Sequence, residues 1–375
     1  MIITCTQENL NQGLSIVSNI ASKSTSLPIL NNVLLKAEGN AIELMATNLE
    51  IGINCRVRGK VESDGDITVQ SRLLSDYVNL LAKENITIKV EDGDDNLSIS
   101  TVKNITKIKG TPAVDFPLIP QIEKEDPIVC RSEDLRKALS QVIFAVSVNE
   151  TRPEINGIFF SVQERGLILA GTDSYRLAEK KIPVRSGKKN IEAIVPARTF
   201  QELLRILSNF KDPAQLDNIE DIEIYVSENQ ILFKFGNVEM VSRLIEGRYP
   251  NYKEIIPNNF KSEIRVGKDE LVKAVKTASL FSKTGIYDVV LTLSKEKKTL
   301  TVTSENNQVG QNTTTLSVDM SGEDNSLAVN FRFLLDGLSN IGSGDVSLKV
   351  VSNTSPCVLE IGKDTSYQYI VMPIN

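Results

Sequence analysis

The chain has 375 residues, 41% of them hydrophobic, and carries 42 Lys and Arg against 48 Asp and Glu, a net charge of −6. That length makes two or three domains at ordinary domain sizes, and no apolar run approaches the roughly 18 residues of a membrane-spanning helix. Histidine is absent, which excludes the Ser-His-Asp triad, the Cys-His dyad and the H-E-x-x-H zinc site.

The start, Met1 to Glu8, has no basic segment followed by an apolar one, so no signal peptide is expected. Cys5, Cys55, Cys130 and Cys357 lie far apart. They imply neither a disulfide framework nor a metal site, and a reducing, cytoplasmic setting is expected.

Taken in order, the chain repeats itself about every 125 residues. Each third opens with an amphipathic helix: Glu8 to Ala21, Glu133 to Ser147, and Asp269 to Phe281. Apolar residues recur three and four apart, as one buried helix face requires: Leu10, Leu14 and Val17; Leu135, Leu139 and Val142; Leu271, Val275 and Ala278. A second helix follows about 65 residues later in each third. These are Arg72 to Leu81 with Leu73, Leu74, Tyr77, Leu80 and Leu81 as its apolar face, Arg198 to Leu207, and Phe331 to Ile341. β-rich runs lie between, at Leu30 to Leu35, Ile158 to Val162 and Val289 to Leu293.

Between the helices one strand–turn–strand grammar recurs. It reads Ala170-Gly171-Thr172-Asp173-Ser174-Tyr175-Arg176-Leu177-Ala178, after the strand Leu167 to Leu169 and before Glu179 to Ile182. Leu44 to Ile51 is an earlier copy and Leu300 to Asn306 a fainter later one. The thirds therefore read as an α+β fold of three repeated domains, each with two helices packed on antiparallel sheet. Proline and charge clusters near Asp115 to Pro127 and Arg248 to Pro257 set the boundaries at 1–126, 127–258 and 259–375.

Net charge alone argues against a nucleic-acid partner, but its distribution does not. The helices with their immediate flanks hold 14 cations against 9 anions, and the remainder holds 28 against 39. Basic helices beside acidic sheets are the electrostatic footprint of phosphate binding; solvated helix faces rich in lysine are the plainer alternative.

These repeats, together with Thr172-Asp173-x-x-Arg176-Leu177-Ala178, Leu27-Pro28-Ile29-Leu30, Asn156-Gly157, Asp115-Phe116-Pro117 and the closing Val371-Met372-Pro373, resemble the bacterial DNA polymerase III beta subunit, the sliding clamp. The likeness runs end to end. It implies a head-to-tail homodimer, a six-domain ring whose helices face double-stranded DNA without reading sequence. It implies a non-catalytic processivity factor that binds the polymerase III alpha subunit, the clamp loader delta subunit, translesion polymerases and mismatch-repair proteins.

Carried over residue by residue, the resemblance places Arg72, Arg152 and Arg198 on DNA. Arg136, Lys137, Arg205, Lys273 and Lys276 join them by helix placement, and Lys23 substitutes for the arginine that relatives often carry at Ser24. A partner-peptide pocket is implied at Ile155, Thr172, Ser174, Tyr175, Arg176 and Leu177, with Pro250, Ile255 and Ile286. Asn330, Phe333, Thr354, Val371, Met372, Pro373 and Ile374 complete it. Leu280 and Phe281 are implied to meet a strand around Thr106 and Ile108 at the dimer seam. The chain departs from relatives at Ser24, where arginine is frequent, at Glu254, where some carry arginine, at Thr106, where some carry an aromatic, and in its short end Ile374-Asn375.

An enzyme reading has one foothold. Ser186 to Lys189 fits S-x-x-K, Ser227-Glu228-Asn229 is near S-D-N, and Lys283-Thr284-Gly285 is K-T-G, in the order used by penicillin-binding proteins. That chemistry needs its serine at the start of a buried helix, and Arg185 to Asn190 reads as a polar loop. A repeat scaffold that binds peptides but not DNA is the third possibility. No cofactor, structural metal or Gly-rich phosphate loop is expected, so ATP hydrolysis falls to the loader.

Overall fold

The structure is a computed structural model. It describes residues 1–21, 27–91, 93, 95–149, 151–164, 166–187, 190–209, 220–342, 344–362 and 364–374. Six α-helices occur among them: α1 (Gln7–Val17), α2 (Ser71–Leu80), α3 (Ser132–Val142), α4 (Ala197–Asn209), α5 (Lys268–Ser279) and α6 (Phe331–Ser339). Five of the six start one residue before the predicted first residue and α6 starts on it. Caps explain two of the starts: Thr6 Oγ1 accepts from Asn9 N at 3.2 Å, and Asn330 Oδ1 accepts from Arg332 N at 2.9 Å.

One predicted face is corrected. On α2 the buried stripe is Ser71, Leu74 and Val78. Leu73 is half exposed and Leu80 is 83% exposed, because they stand on the side of the helix away from that stripe. α1 buries Leu10, Leu14 and Val17 as the spacing requires, with Ile16 beside them.

The chain forms two compact units. Unit 1 is Met1–Ser132, Arg185–Gly187 and Arg205–Leu244; unit 2 is Glu133–Val184, Lys188–Leu204 and Ile245–Asn375. Unit 1 is built on one 13-stranded sheet, and unit 2 on sheets of nine and four strands. Every ladder between named strands is antiparallel, as in Met240↔Ile53 and Ala178↔Tyr369.

Units and repeats differ because pairing crosses the repeat boundary. The strand Ile51–Val57 of the first repeat pairs with Val238–Arg243 of the second. Arg176–Ile182 of the second pairs with Asp364–Val371 of the third. The three repeats therefore join edge to edge.

Candidate functional site

The recurring turn is shorter than the sequence suggested. Strands Gly166–Thr172 and Arg176–Ile182 leave only Asp173, Ser174 and Tyr175 between them. Thr172 Oγ1 donates to Arg176 O at 2.6 Å and accepts from Ser174 N at 3.1 Å. Asp173 Oδ1 accepts from Tyr175 N and Arg176 N at 2.9 and 3.0 Å. Short polar side chains thus replace the missing ladder bonds, and Ser174 takes a φ of 79°. The first repeat copies this with Thr47, Asn48 and Leu49, the last at φ 76°. In the third repeat Ser304 lies inside its strand, and the turn falls later, where Asn306 Oδ1 accepts from Gln308 N.

This turn aims Arg176 across unit 2. Its Nε donates to Asp173 Oδ2 at 3.0 Å and its Nη1 to Asp336 Oδ2 on α6 at 2.5 Å. The guanidinium lies 4.8 Å from the Phe333 ring centre and 5.6 Å from that of Phe144. Burial alone would lower the Arg176 pKa; Asp336, Tyr369 and Asp173 outweigh it and hold it above its ordinary value. Tyr175 stacks on Phe333 with ring centres 6.3 Å apart. Tyr369 donates to Phe333 O at 2.7 Å. It can lie against α6 because residue 337 is glycine, where any side chain would overlap the ring.

The chain end is stitched to the same place. Val371 pairs with Arg176, Met372 N donates to Tyr175 O at 2.9 Å, Pro373 bridges Val329, and Ile374 N donates to Ala328 O at 2.8 Å. Asn330 caps α6. Thr172 O and Ile155 O both accept from Ser147 N. Leu177 lies in the core beneath, with Tyr249 and Tyr252 on either side of Pro250. The structure therefore brings together Ile155, Thr172, Ser174, Tyr175, Arg176, Leu177, Asn330, Phe333 and the run Val371 to Ile374. Ile155, Leu177 and Val371 are buried and can serve only as floor. Ile255 stands exposed at the end of the short 3-10 helix Tyr252–Ile255, and Ile286 and Thr354 stand exposed on two separate turns. Phe144, Asp336 and Tyr369 were missed. Asp336 had a signal, one helical turn after Phe333; Phe144 and Tyr369 had none beyond apolar alternation.

The cations sort by their partners. Arg72, Lys137, Arg198, Lys273 and Lys276 are exposed on helices, with Lys273 and Lys276 opposite the buried face of α5. Arg136 pairs with Glu133 at 2.6 Å. Arg152 bonds Glu154 and Ser174 Oγ. Arg205 donates to Ser15 O and Ile16 O at 2.9 and 2.8 Å, capping the carbonyl end of α1. Lys23 and Ser24 lie outside the described residues. The six helices themselves hold nine Lys or Arg and eight Asp or Glu. The basic excess read from the sequence belongs to their flanks, among them Lys83, Arg131 and Lys283.

At the expected seam, Ile108 is only 5% exposed and faces its own sheet's core. Thr106 shares its face, and Ile105, on the other face, is 80% exposed. Leu280 stands exposed at the end of α5 and Phe281 is half buried. Of the enzyme-like motifs, Ser186 sits in an isolated bridge with Val129, Ser227 closes a hairpin, and Lys283-Thr284-Gly285 is loop. Lys188 and Lys189 lie outside the described residues. No described helix is long and apolar enough to cross a membrane.

Three α+β repeats of two helices on antiparallel sheet, joined edge to edge, define the DNA-clamp fold. Family models of the DNA polymerase III beta subunit match in chain order: the N-terminal domain at residues 1–120, the central domain at 130–251 and the C-terminal domain at 253–375. The chain belongs to that family, the beta sliding clamps. It is 30% identical to the beta sliding clamp of Synechococcus elongatus over 100% of this chain and 99% of that one. A crystal structure of a putative DNA polymerase III beta subunit from Eubacterium rectale superposes with a TM-score of 0.92 at 27% identity, covering 100% of both chains. The DNA polymerase sliding clamp from Bacillus subtilis gives 0.92 at 26% identity, covering 100% of this chain and 99% of that one. These relatives are named as clamps and polymerase subunits, and the chain is a clamp subunit, not an enzyme.

Proposed function

We propose that two copies of this chain close head to tail into a ring around duplex DNA, and that the ring tethers the replicative polymerase through the Arg176 cluster. The observation that carries this reading is a strand pairing used twice and left open once. The second strand of the strand–turn–strand unit takes the last strand of the next repeat, first in Ile51–Val57 with Val238–Arg243, then in Arg176–Ile182 with Asp364–Val371. In the third repeat the equivalent strand Gly310–Ser317 ends its sheet. The last strand of the first repeat, Ile105–Thr111, pairs along residues 105–109 on one edge only among the described strands. A second copy offers each open edge its missing partner, and two such joints close the assembly. Ile105 and Leu280, exposed near these edges, supply the apolar part of the seam.

Inside such a ring, contact with DNA is loose and made through phosphates, so sliding breaks no base-specific bond. Arg72, Lys137, Arg198, Lys273 and Lys276 are the exposed helix cations suited to it. Arg136 and Arg152 can join by exchanging carboxylate partners, whereas Arg205 serves structure. The domain boundaries 1–126, 127–258 and 259–375 and a cytoplasmic site of action accompany this reading. The polymerase III alpha subunit and the loader delta subunit are its first partners, with translesion and mismatch-repair proteins competing for the same cluster.

Sedimentation without DNA tests the ring: a particle of twice 41.4 kDa is expected. Loaded by a clamp loader with ATP, the protein should stay on closed circular DNA and run off once the circle is cut. Equal retention on both would overturn the encircling mechanism.

A further inference from the structure

Both units carry the same patch of sheet, but different side chains cover it. In unit 2 the patch is Phe159↔Ala170, Leu177↔Ile370 and Val358↔Ile370, packed with Tyr249 and Tyr252. Tyr249 donates to Ala170 O at 3.2 Å, and Tyr252 donates to the buried carboxylate of Glu179 at 2.6 Å. In unit 1 the ladder recurs as Leu34↔Met45, Gly52↔Val241 and Leu232↔Val241. Asn54 stands opposite Met45 as Glu179 stands opposite Ala170.

Four of the unit 1 side chains are smaller, leucine for phenylalanine, glycine for leucine, asparagine for glutamate and valine for isoleucine, while Met45 and Leu232 are larger than Ala170 and Val358. The segment that covers them, Phe116 to Ile122, has no tyrosine. Ile119 occupies the place above Gly52, where a Cβ would stand 2.8 Å from Ile119 Cγ2. Ile119 and Ile122 pack on Tyr225, Leu232 and Val241. What remains is an open groove of about 790 Å³, lined by Leu34, Met45, Asn54, Leu118 and the rest of that segment.

Two features say what fits there. Asn54 Oδ1 is buried with no hydrogen-bond partner among the described residues, although buried acceptors are nearly always satisfied. Its counterpart, Glu179, receives a tyrosine hydroxyl. Leu118, on the groove's edge, is 95% exposed, a place for a second apolar contact. The charges on the rim are mostly neutralised in pairs, Lys36 with Glu38, Arg56 with Glu43 and Lys124 with Glu239. The groove therefore selects by shape and by one hydrogen bond, and little by charge.

We propose that this groove is a second docking site, separate from the Arg176 cluster, for an extended peptide of a partner protein that presents a tyrosine beside an aliphatic residue. The ring lies on Leu34 and Met45, the hydroxyl donates to Asn54 Oδ1, and the aliphatic side chain packs on Leu118.

The probe is a labelled synthetic peptide of residues 248–257 of this chain, Arg-Tyr-Pro-Asn-Tyr-Lys-Glu-Ile-Ile-Pro, which holds Tyr249, Tyr252 and Ile256 of the counterpart patch. It is titrated with the full-length protein. Saturable binding is expected. Replacing the second peptide tyrosine by phenylalanine, or Asn54→Leu in the protein, should each weaken it about fivefold, the worth of one neutral hydrogen bond. The two losses should not add, because both remove the same bond. Met45→Trp should abolish binding by filling the groove, and Asn54→Leu keeps the test decisive if Met45→Trp does not fold. Arg176→Ala should leave probe binding unchanged, whether or not that cluster proves to hold the polymerase. No saturation by about 1 mM, a weak limit for a specific peptide, or additive losses would overturn the proposal.

Discussion

Arg176 and Asp336 meet at 2.5 Å although 160 residues separate them. The Arg176 side chain is 12% exposed and that of Asp336 50%. Asp336 thus reaches in from solvent to hold a cation that the fold has nearly closed over. Asp336→Ala leaves that cation with Asp173 and the aromatic rings. A charge-assisted bond of this kind is worth roughly 1.5–3 kcal/mol when buried, and the exposure of Asp336 discounts it to about 1 kcal/mol. Urea unfolding reads that loss. Binding of a polymerase-tail peptide should fall further than stability does, by about tenfold, because without Asp336 the guanidinium is no longer fixed over the Phe333 ring on which Tyr175 stacks. Unchanged binding in both Asp336→Ala and Arg176→Ala would remove the cluster from partner recognition.

The cations divide into two experimental classes. Replacing Lys273 and Lys276 by glutamine should reduce the slope of log affinity against log salt for a short duplex by about 1 per residue, with melting unaffected. Arg205→Ala should do the reverse. It removes two bonds that cap α1 and should cost about 1–2 kcal/mol, with the salt slope unchanged. A lower slope in Arg205→Ala would return that residue to the DNA face.

The contrast shows which features were legible in the sequence. Helix positions were, because their signal is local: Leu10, Leu14 and Val17 fix the face of α1 wherever the rest of the chain goes. The turn at Asp173 was legible for the same reason, since its polar side chains act within four residues. Pairing between repeats was not. Met240 meets Ile53 across 187 residues, and nothing local marks either strand for the other. Nor was the exposed side of the strand Ile105–Thr111 legible: a strand changes face at every residue, and Ile105 is exposed while Ile108 is buried. Arg205 looked like any helix cation, because its partners are backbone carbonyls, and every residue has one of those.

Acid should weaken the protein through carboxylates held below their usual range. The Tyr225 hydroxyl, then Lys234, lowers the Glu223 pKa from its ordinary 4.5. Burial acts against Asp364, but Ser366 and Lys180 prevail and lower it from 3.8. A depressed carboxylate contributes stability that is fully present above its unfolded value and is lost as pH falls through its lower folded value. Urea midpoints should therefore hold between pH 7 and about pH 5 and drop below it. Glu223→Gln should lower the neutral midpoint and flatten part of the acid limb. An acid limb identical to that of the unaltered protein would show that Glu223 takes no part.

Tyr252 gives the buried Glu179 its hydroxyl at 2.6 Å, and Lys181 holds the other carboxylate oxygen at 3.0 Å from solvent. Tyr252→Phe keeps the ring in the core cluster with Phe159 and Tyr249 but removes the donor. The expected cost is about 1–2 kcal/mol, that of a buried acceptor left short of a partner. Adding Glu179→Gln should recover part of it, since a neutral amide suffers less from the missing bond. Independent, additive losses would place Tyr252 and Glu179 in separate roles.

The seam is tested where exposure is highest. Ile105 is 80% exposed, so Ile105→Asp removes little from the folded monomer, and its melting should stay within about 0.5 kcal/mol. In a dimer the same substitution buries an unpaired carboxylate against the apolar end of α5. An interface anchor lost in this way costs at least about 2 kcal/mol, or roughly thirtyfold in the dissociation constant. Equilibrium sedimentation of Ile105→Asp beside Lys107→Asp separates apolar packing from charge. If strand addition builds the seam, Ile105→Asp shifts the protein toward monomer at concentrations where the unaltered chain is dimeric, and Thr315→Pro shifts it further by removing a backbone donor on the open edge of Gly310–Ser317. A dimer indifferent to all three would have to be built elsewhere, and the open edges of Ile105–Thr111 and Gly310–Ser317 would need another partner.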